Sequence, residues 1–164
     1  MKNLFIVRHA KSSWDDINLN DFERPLNERG KKDAPAMAEK MQDQKIKIDA
    51  FVSSPAKRAR KTCEAFCKVY NVPKEKIIFE DDLYNAVAKN FYDVIEKIDD
   101  ENKRVAIFSH NPGITDFVNS LISSVNIDNM PTCAVFAIKS DIETWLDFRT
   151  SEKHFLFFEY PKHN

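Results

Sequence analysis

Short apolar runs alternate along this chain with longer segments in which apolar residues recur every three or four positions. The runs read as strands. They are Leu4–Val7, Asp49–Ser54, a weaker one in "KIIFE" around Ile78, Arg104–His110, and then "CAVFAIK" and "HFLFFEY", this last pair expected to close the sheet antiparallel. Unbroken runs such as Val105–Phe108 suit strands covered on both faces. Between the runs, Ala34, Met37, Ala38 and Met41 fall at i, i+3, i+4 and i+7 and predict a helix over about Asn27–Gln44 with one apolar face. The pattern returns in Ala59, Cys63, Phe66, Cys67 and Tyr70, and again in Phe91, Val94, Ile95 and Ile98. Its longest stripe is Ile114, Phe117, Val118, Leu121, Ile122 and Val125. Strand and helix alternate from end to end, which predicts an α/β fold. No repeat, low-complexity tract or linker interrupts the pattern, so residues 1–164 read as one domain.

Composition narrows the function classes. A chain of 164 residues can bury about 70% of the surface its unfolded form exposes. With 43% hydrophobic residues, 13 of the residues being Phe, and 25 basic against 26 acidic side chains, it is not a disordered chain. The net charge of −1 offers no basic excess for a nucleic-acid duplex, so an anionic ligand is expected to be small and locally held. The first apolar stretch is four residues long, too short for a secretory core, and nothing approaches a membrane span. A cytoplasmic protein with no membrane or nucleic-acid partner is therefore expected. Cys63, Cys67 and Cys133 read as buried thiols of a reducing compartment, and Cys63-x3-Cys67 lacks the second ligand pair of a zinc site. Only two glycines, Gly30 and Gly113, occur, which excludes a glycine-rich nucleotide loop. No oligomeric state can be read from the chain.

Candidate chemistry gathers where the best strands end, the place at which open α/β sheets bind ligands. Leu4–Val7 runs into Arg8 and His9. The second strand runs into "SSPAKRARKT", where Ser53 or Ser54 can cap a helix, Pro55 suits its first turn, and Lys57 and Arg58 lie near its positive end. Arg104–Phe108 leads to "SHNPGITD", setting His110 just before another helix. Two imidazoles, two guanidinium forks and helix N-termini converging on one crevice would make a phosphate site. His154 and His163 have no such company and read as surface or core histidines.

In order and spacing, "RHA", "RPLNERGKKDA", "SSPAKRARKT" and "SHNPGI" resemble the histidine phosphatase superfamily, and within it the short SixA-type phosphohistidine phosphatases. The resemblance implies a three-layer α/β/α, phosphoglycerate mutase-like fold with a central, mostly parallel sheet. It implies His9 as nucleophile, Arg8 and Arg58 as phosphate-binding arginines and His110 as the second histidine, with no metal or cofactor. Arg24 and Glu28 match a segment leading into the first helix and are expected to brace it. Ala10 stands where the family usually has glycine, a change the chain accommodates where the backbone needs no positive φ. For the proton donor, the resemblance points to the region of Glu80, Asp81 and Asp82, with Asp82 preferred.

The expected chemistry is attack by His9 at phosphorus, a phosphohistidine intermediate, and its hydrolysis by water. A weakly marked acid suits a leaving group that needs little protonation, such as the imidazole of a phosphohistidine in a protein. The few residues between the motifs suggest an open cleft, with "KSSWDDINLNDF" the one loop large enough to recognise a partner through Lys11, Ser12 and Trp14. Three alternatives stand beside a protein phosphohistidine phosphatase: a phosphatase of small phosphorylated molecules, a mutase-like phosphotransferase, and a binding module without turnover.

Overall fold

A computed structural model describes residues 1–162 of the chain; His163 lies outside them. The strands are β1 (Lys2–Arg8), β2 (Ala50–Ser53), β3 (Ile78–Phe79), β4 (Arg104–Ser109), β5 (Val135–Ser140) and β6 (His154–Glu159). The helices longer than one turn are α1 (Glu28–Asp43), α2 (Lys57–Val69), α3 (Ala88–Glu96) and α4 (Gly113–Leu121). One sheet takes the order β3-β2-β4-β1-β5-β6. β3, β2, β4 and β1 are parallel, whereas β5 is antiparallel to β1 and β6 to β5. The weak run at Ile78 is two residues long and exposed at the sheet edge.

Side chains alternate across the pleat and so divide the core in two. Leu4, Ile6, Val105 and Ile107 pack with Phe91, Val94, Phe117 and Val118 of α3 and α4. Phe5, Val7, Ala106 and Phe108 pack with Met37, Met41, Cys63 and Phe66 of α1 and α2. Both faces of β1 and β4 are thus covered, which is why their sequences are continuous apolar runs, and the three-layer architecture follows.

Two boundaries differ from the periodic pattern. The stripe through Val125 overruns α4, which stops at Leu121 as Ile122 turns extended, with φ −139° and ψ 120°. Ile122 and Val125 still pack on the core, because apolar spacing records burial rather than helicity. The chain is redirected by Asn119, whose amide donates to Ile127 O and accepts from Ile127 N at 2.8 and 2.7 Å. At α2 the capping position belongs to Ala56 and has no side-chain bond; Ser53 and Ser54 lie before it.

Both glycines mark close approaches. A Cβ at Gly30, in the first turn of α1, would collide with the Lys11 carbonyl, and one at Gly113, the start of α4, with the Ala86 carbonyl. Each brings a helix start against a loop that borders the same end of the sheet.

Candidate active site

His9 leaves the carboxyl end of β1 with its backbone held on both sides. Its N–H donates to Ser109 O at 3.1 Å, and its carbonyl accepts from Cys133 N at 3.0 Å. The next N–H, that of Ala10, donates to Thr62 Oγ1 at 2.9 Å, and the Thr62 hydroxyl donates to Arg58 O at 2.8 Å. One buried threonine therefore joins the histidine turn to the first turn of α2. His9 is 5% exposed. Its Nδ1 lies 2.7 Å from Ala10 O, a carbonyl that only accepts, so Nδ1 carries the proton and Nε2 the lone pair.

His110, at the end of β4, sets its ring 5.2 Å from that of His9, centroid to centroid. Its Nε2 is 2.7 Å from Ser54 Oγ, which also accepts from Ala56 N at 3.2 Å. Ser54, one of the two serines expected to cap α2, instead ties the second histidine to the end of β2. Arg8 donates through Nη1 to Met130 O at 2.7 Å, and Arg58 through Nη1 to Asp21 O at 2.7 Å and Nη2 to Asp21 Oδ2 at 2.9 Å. Among the described residues the buried side-chain polar atoms without a hydrogen-bond partner are Arg8 Nε, Arg58 Nε and His110 Nδ1. All three belong to this cluster. An unsatisfied buried polar atom costs about 1–3 kcal/mol, so three at one place mark a functional site rather than a packing accident.

The cleft around these residues has a volume of about 420 Å³ and a polar lining that also includes Lys11, Ser12, Asn85, Asn111 and Thr132. Asp82 does not reach it. That side chain is exposed on a one-turn 3-10 helix over Asp81–Leu83, as is Asp81, while Glu80 pairs with Lys97 at 3.2 Å. The carboxylate that does line the cleft is Asp21. It accepts from Arg58, from Arg24 Nε at 3.2 Å and from Tyr84 OH at 2.7 Å. Arg24 donates to Ser12 Oγ at 3.0 Å, tying its segment to the loop after β1, and it lines the cleft too. Glu28 is exposed and pairs with Lys31. His154 is exposed on β6.

Electrostatics follow from this packing. Burial is the largest influence on His9 and holds its pKa well below 6.5, helped by His110, Arg8 and Arg58 against the opposing Ala10 hydrogen bond. Burial, then the Arg58 charge, brings His110 down to about 3. Both imidazoles are neutral at pH 7. Partial burial works against ionisation of Asp21, but the hydrogen bonds from Tyr84 and Arg58 and the charge of Arg58 outweigh it and hold its pKa at about 2. Four cationic side chains, Arg8, Lys11, Arg24 and Arg58, thus face one carboxylate, a balance suited to an anion carrying more than one charge.

Comparison with known proteins agrees with this geometry. The family model of the histidine phosphatase superfamily (branch 1) matches residues 4–86. The chain belongs to the histidine phosphatase superfamily. An uncharacterized chloroplastic protein of Arabidopsis thaliana is 26% identical over 88% of this chain and 69% of its own length. Among solved structures, a SixA-type protein of Agrobacterium tumefaciens is 24% identical, with a TM-score of 0.81 over 98% of this chain and 99% of that one. The protein histidine phosphatase SixA in complex with tungstate is 22% identical and superposes with the same TM-score of 0.81 over 96% of each chain. A mycobacterial glucosyl-3-phosphoglycerate phosphatase solved with VO3 reaches 0.73 at 12% identity, over 98% of this chain and all of that one. These likenesses establish the phosphoglycerate mutase-like fold, and the superfamily supports phosphatase activity.

In this member of the superfamily Ala10 is fully buried and absent from the residues with positive φ, so its methyl group is accommodated without backbone strain. The sequence reading missed Asp21 and Thr62 and the role of Ser54. Their signal was weak because each acts through a partner distant in the chain: Asp21 is 37 residues from Arg58, Ser54 is 56 from His110, and Thr62 is 52 from Ala10. No helix among the described residues is long and apolar enough to cross a membrane.

Proposed function

We propose that this chain is a phosphatase that takes a phosphoryl group onto His9 and then releases it to water, with phosphohistidine in a protein as its substrate. The observation that carries the reading is the state of His9: a buried, neutral imidazole whose Nδ1–H is committed to Ala10 O, leaving the Nε2 lone pair as nucleophile. In the first step the Nε2–P bond forms while the bond from phosphorus to the leaving atom breaks. Arg8, Arg58 and His110 stabilise the phosphoryl oxygens. In the second step water attacks phosphorus, the Nε2–P bond breaks, and His9 is regenerated as phosphate departs.

The acid side of the cleft favours a phosphoramidate. Asp21, with a pKa of about 2, holds no proton at pH 7, and neutral His110, at about 3, is equally unsuited to donate one. An alkoxide leaving from a serine or sugar phosphate needs such a proton. The imidazole of a phosphohistidine whose ring is already protonated leaves as a neutral molecule without one. Asp21 acts instead as a positioning residue that holds Arg58 by two of its nitrogens. The test compares kcat/KM for a phosphohistidine peptide and for the same peptide bearing phosphoserine. A preference of at least about 100-fold for phosphohistidine is expected, in line with the weight of general acid catalysis; equal rates would overturn the substrate assignment.

A further inference from the structure

Two large apolar side chains stand in water on the segment that walls the cleft. Trp14 is 69% exposed and Ile17 91%. Residues 16–19 form a turn closed by Leu19 N–H to Asp16 O at 3.3 Å, with Asn18 N–H donating to Asp16 Oδ1 at 3.0 Å, and Ile17 is at its tip. Turn tips ordinarily carry glycine, proline or small polar residues, so isoleucine there serves nothing inside the turn. Trp14 is held firmly despite its exposure. The Arg24 guanidinium lies 3.4 Å from its ring centroid, and Arg24 is itself tied to Ser12, Ser13 and Asp21. A bridge between Ser12 and Leu26 fastens the base of the segment. Beyond Asn85, another cleft residue, Val87 is 63% exposed.

The cleft itself is polar, and Ile17 is not part of its lining. A phosphorylated group that sits within the cleft of about 420 Å³ has no lining contact with Ile17, so any contact there is left to a substrate larger than the cleft. Trp14 lines the cleft, and Ile17 follows three residues later on the same segment, at the exposed turn tip. Rigid, exposed tryptophan next to aliphatic surface is the composition of a protein docking point.

We propose that Trp14 and Ile17 form a docking surface for the body of a phosphorylated protein that presents an apolar patch beside its phosphorylated side chain. The inference rests on the protein phosphohistidine reading above. It divides the work of one segment: Lys11, Ser12 and Arg24 border the phosphoryl group, while Trp14 and Ile17 select what carries it.

The test is steady-state kinetics of the full chain on free phosphohistidine and on a folded protein phosphorylated on histidine. Ile17→Asp is expected to raise KM for the phosphoprotein at least about tenfold, with kcat unchanged and free phosphohistidine turned over as by the wild type. Trp14→Ala is expected to lose more on the phosphoprotein than on free phosphohistidine. Unaltered phosphoprotein KM in both variants, or equal losses on the two substrates, would overturn the docking surface alone. Failure of the wild type to hydrolyse the phosphoprotein would overturn the substrate reading and the docking surface with it.

Discussion

At the scale of single residues, the chemistry depends on where backbone groups hold a side chain. His9 has its N–H, its carbonyl and the following N–H each bonded to a different element, so its ring has little freedom to drift from in-line geometry. Thr62 is the test of this. Thr62→Val keeps the volume but removes both the acceptor for Ala10 N–H and the donor to Arg58 O. A misplacement of about 1 Å costs up to about 100-fold in rate, so kcat is expected to fall by about 10- to 100-fold with a smaller change in KM, and Thr62→Ser to restore it. Arg8, His9, Arg58 and His110 were legible in the sequence because each follows an apolar run or opens a helix. Thr62 and Ser54 were not, since a hydroxyl on a helix or at a strand end looks the same whether or not a distant backbone needs it. Asp82 drew notice as one of three adjacent acids, yet local composition does not say which acid turns inward; the cleft takes its carboxylate from another loop.

At the scale of elements, the pattern of apolar spacing located every strand and the four long helices, and erred where burial outlasts helicity, as after Leu121. It also gave no weight to glycine scarcity beyond excluding a nucleotide loop. Gly113 lets α4 begin against the Ala86 carbonyl, three residues after His110. In Gly113→Ala the new methyl meets backbone on a neighbouring loop rather than a flexible side chain. Overpacking of this kind costs about 1–3 kcal/mol, to be read as a lower urea midpoint. Because the displaced segment carries His110, activity is expected to fall below what the unfolded fraction explains. A variant with unchanged midpoint and full activity would show that the approach of these two elements is not required.

At the scale of the whole molecule, one sheet with both faces covered serves as a rigid mount, and the loops at the carboxyl ends of β1, β2 and β4 supply the site. Burying two neutral histidines there links stability to pH. Both have folded pKa values below the unfolded value of about 6.5, so below that pH the unfolded chain takes up protons that the folded chain refuses. Their contribution is complete above about pH 6.5 and is lost as pH falls from there toward about 3 for His110. The part from Asp21 is lost only below the ordinary aspartate value of 3.8, toward about 2. Melting temperature is therefore expected to be flat from about pH 7 to 8 and to decline below about 6.5, less steeply in His110→Gln. An equal slope in the two proteins would contradict the neutral, buried state assigned to that ring. The α/β class, the antiparallel finish and the two histidines at strand ends were legible from periodicity and strand ends, and the mostly parallel centre from the family resemblance; the Asp21 clamp needed the folded chain, because it joins loops that only tertiary packing brings together. The central claim, a phosphoryl group carried by His9, is tested most directly by rapid acid-free quenching during turnover of labelled acetyl phosphate. The account predicts a base-stable, acid-labile label mapped to His9, with both label and turnover lost in His9→Ala; label on another residue, or turnover surviving in His9→Ala, would contradict it.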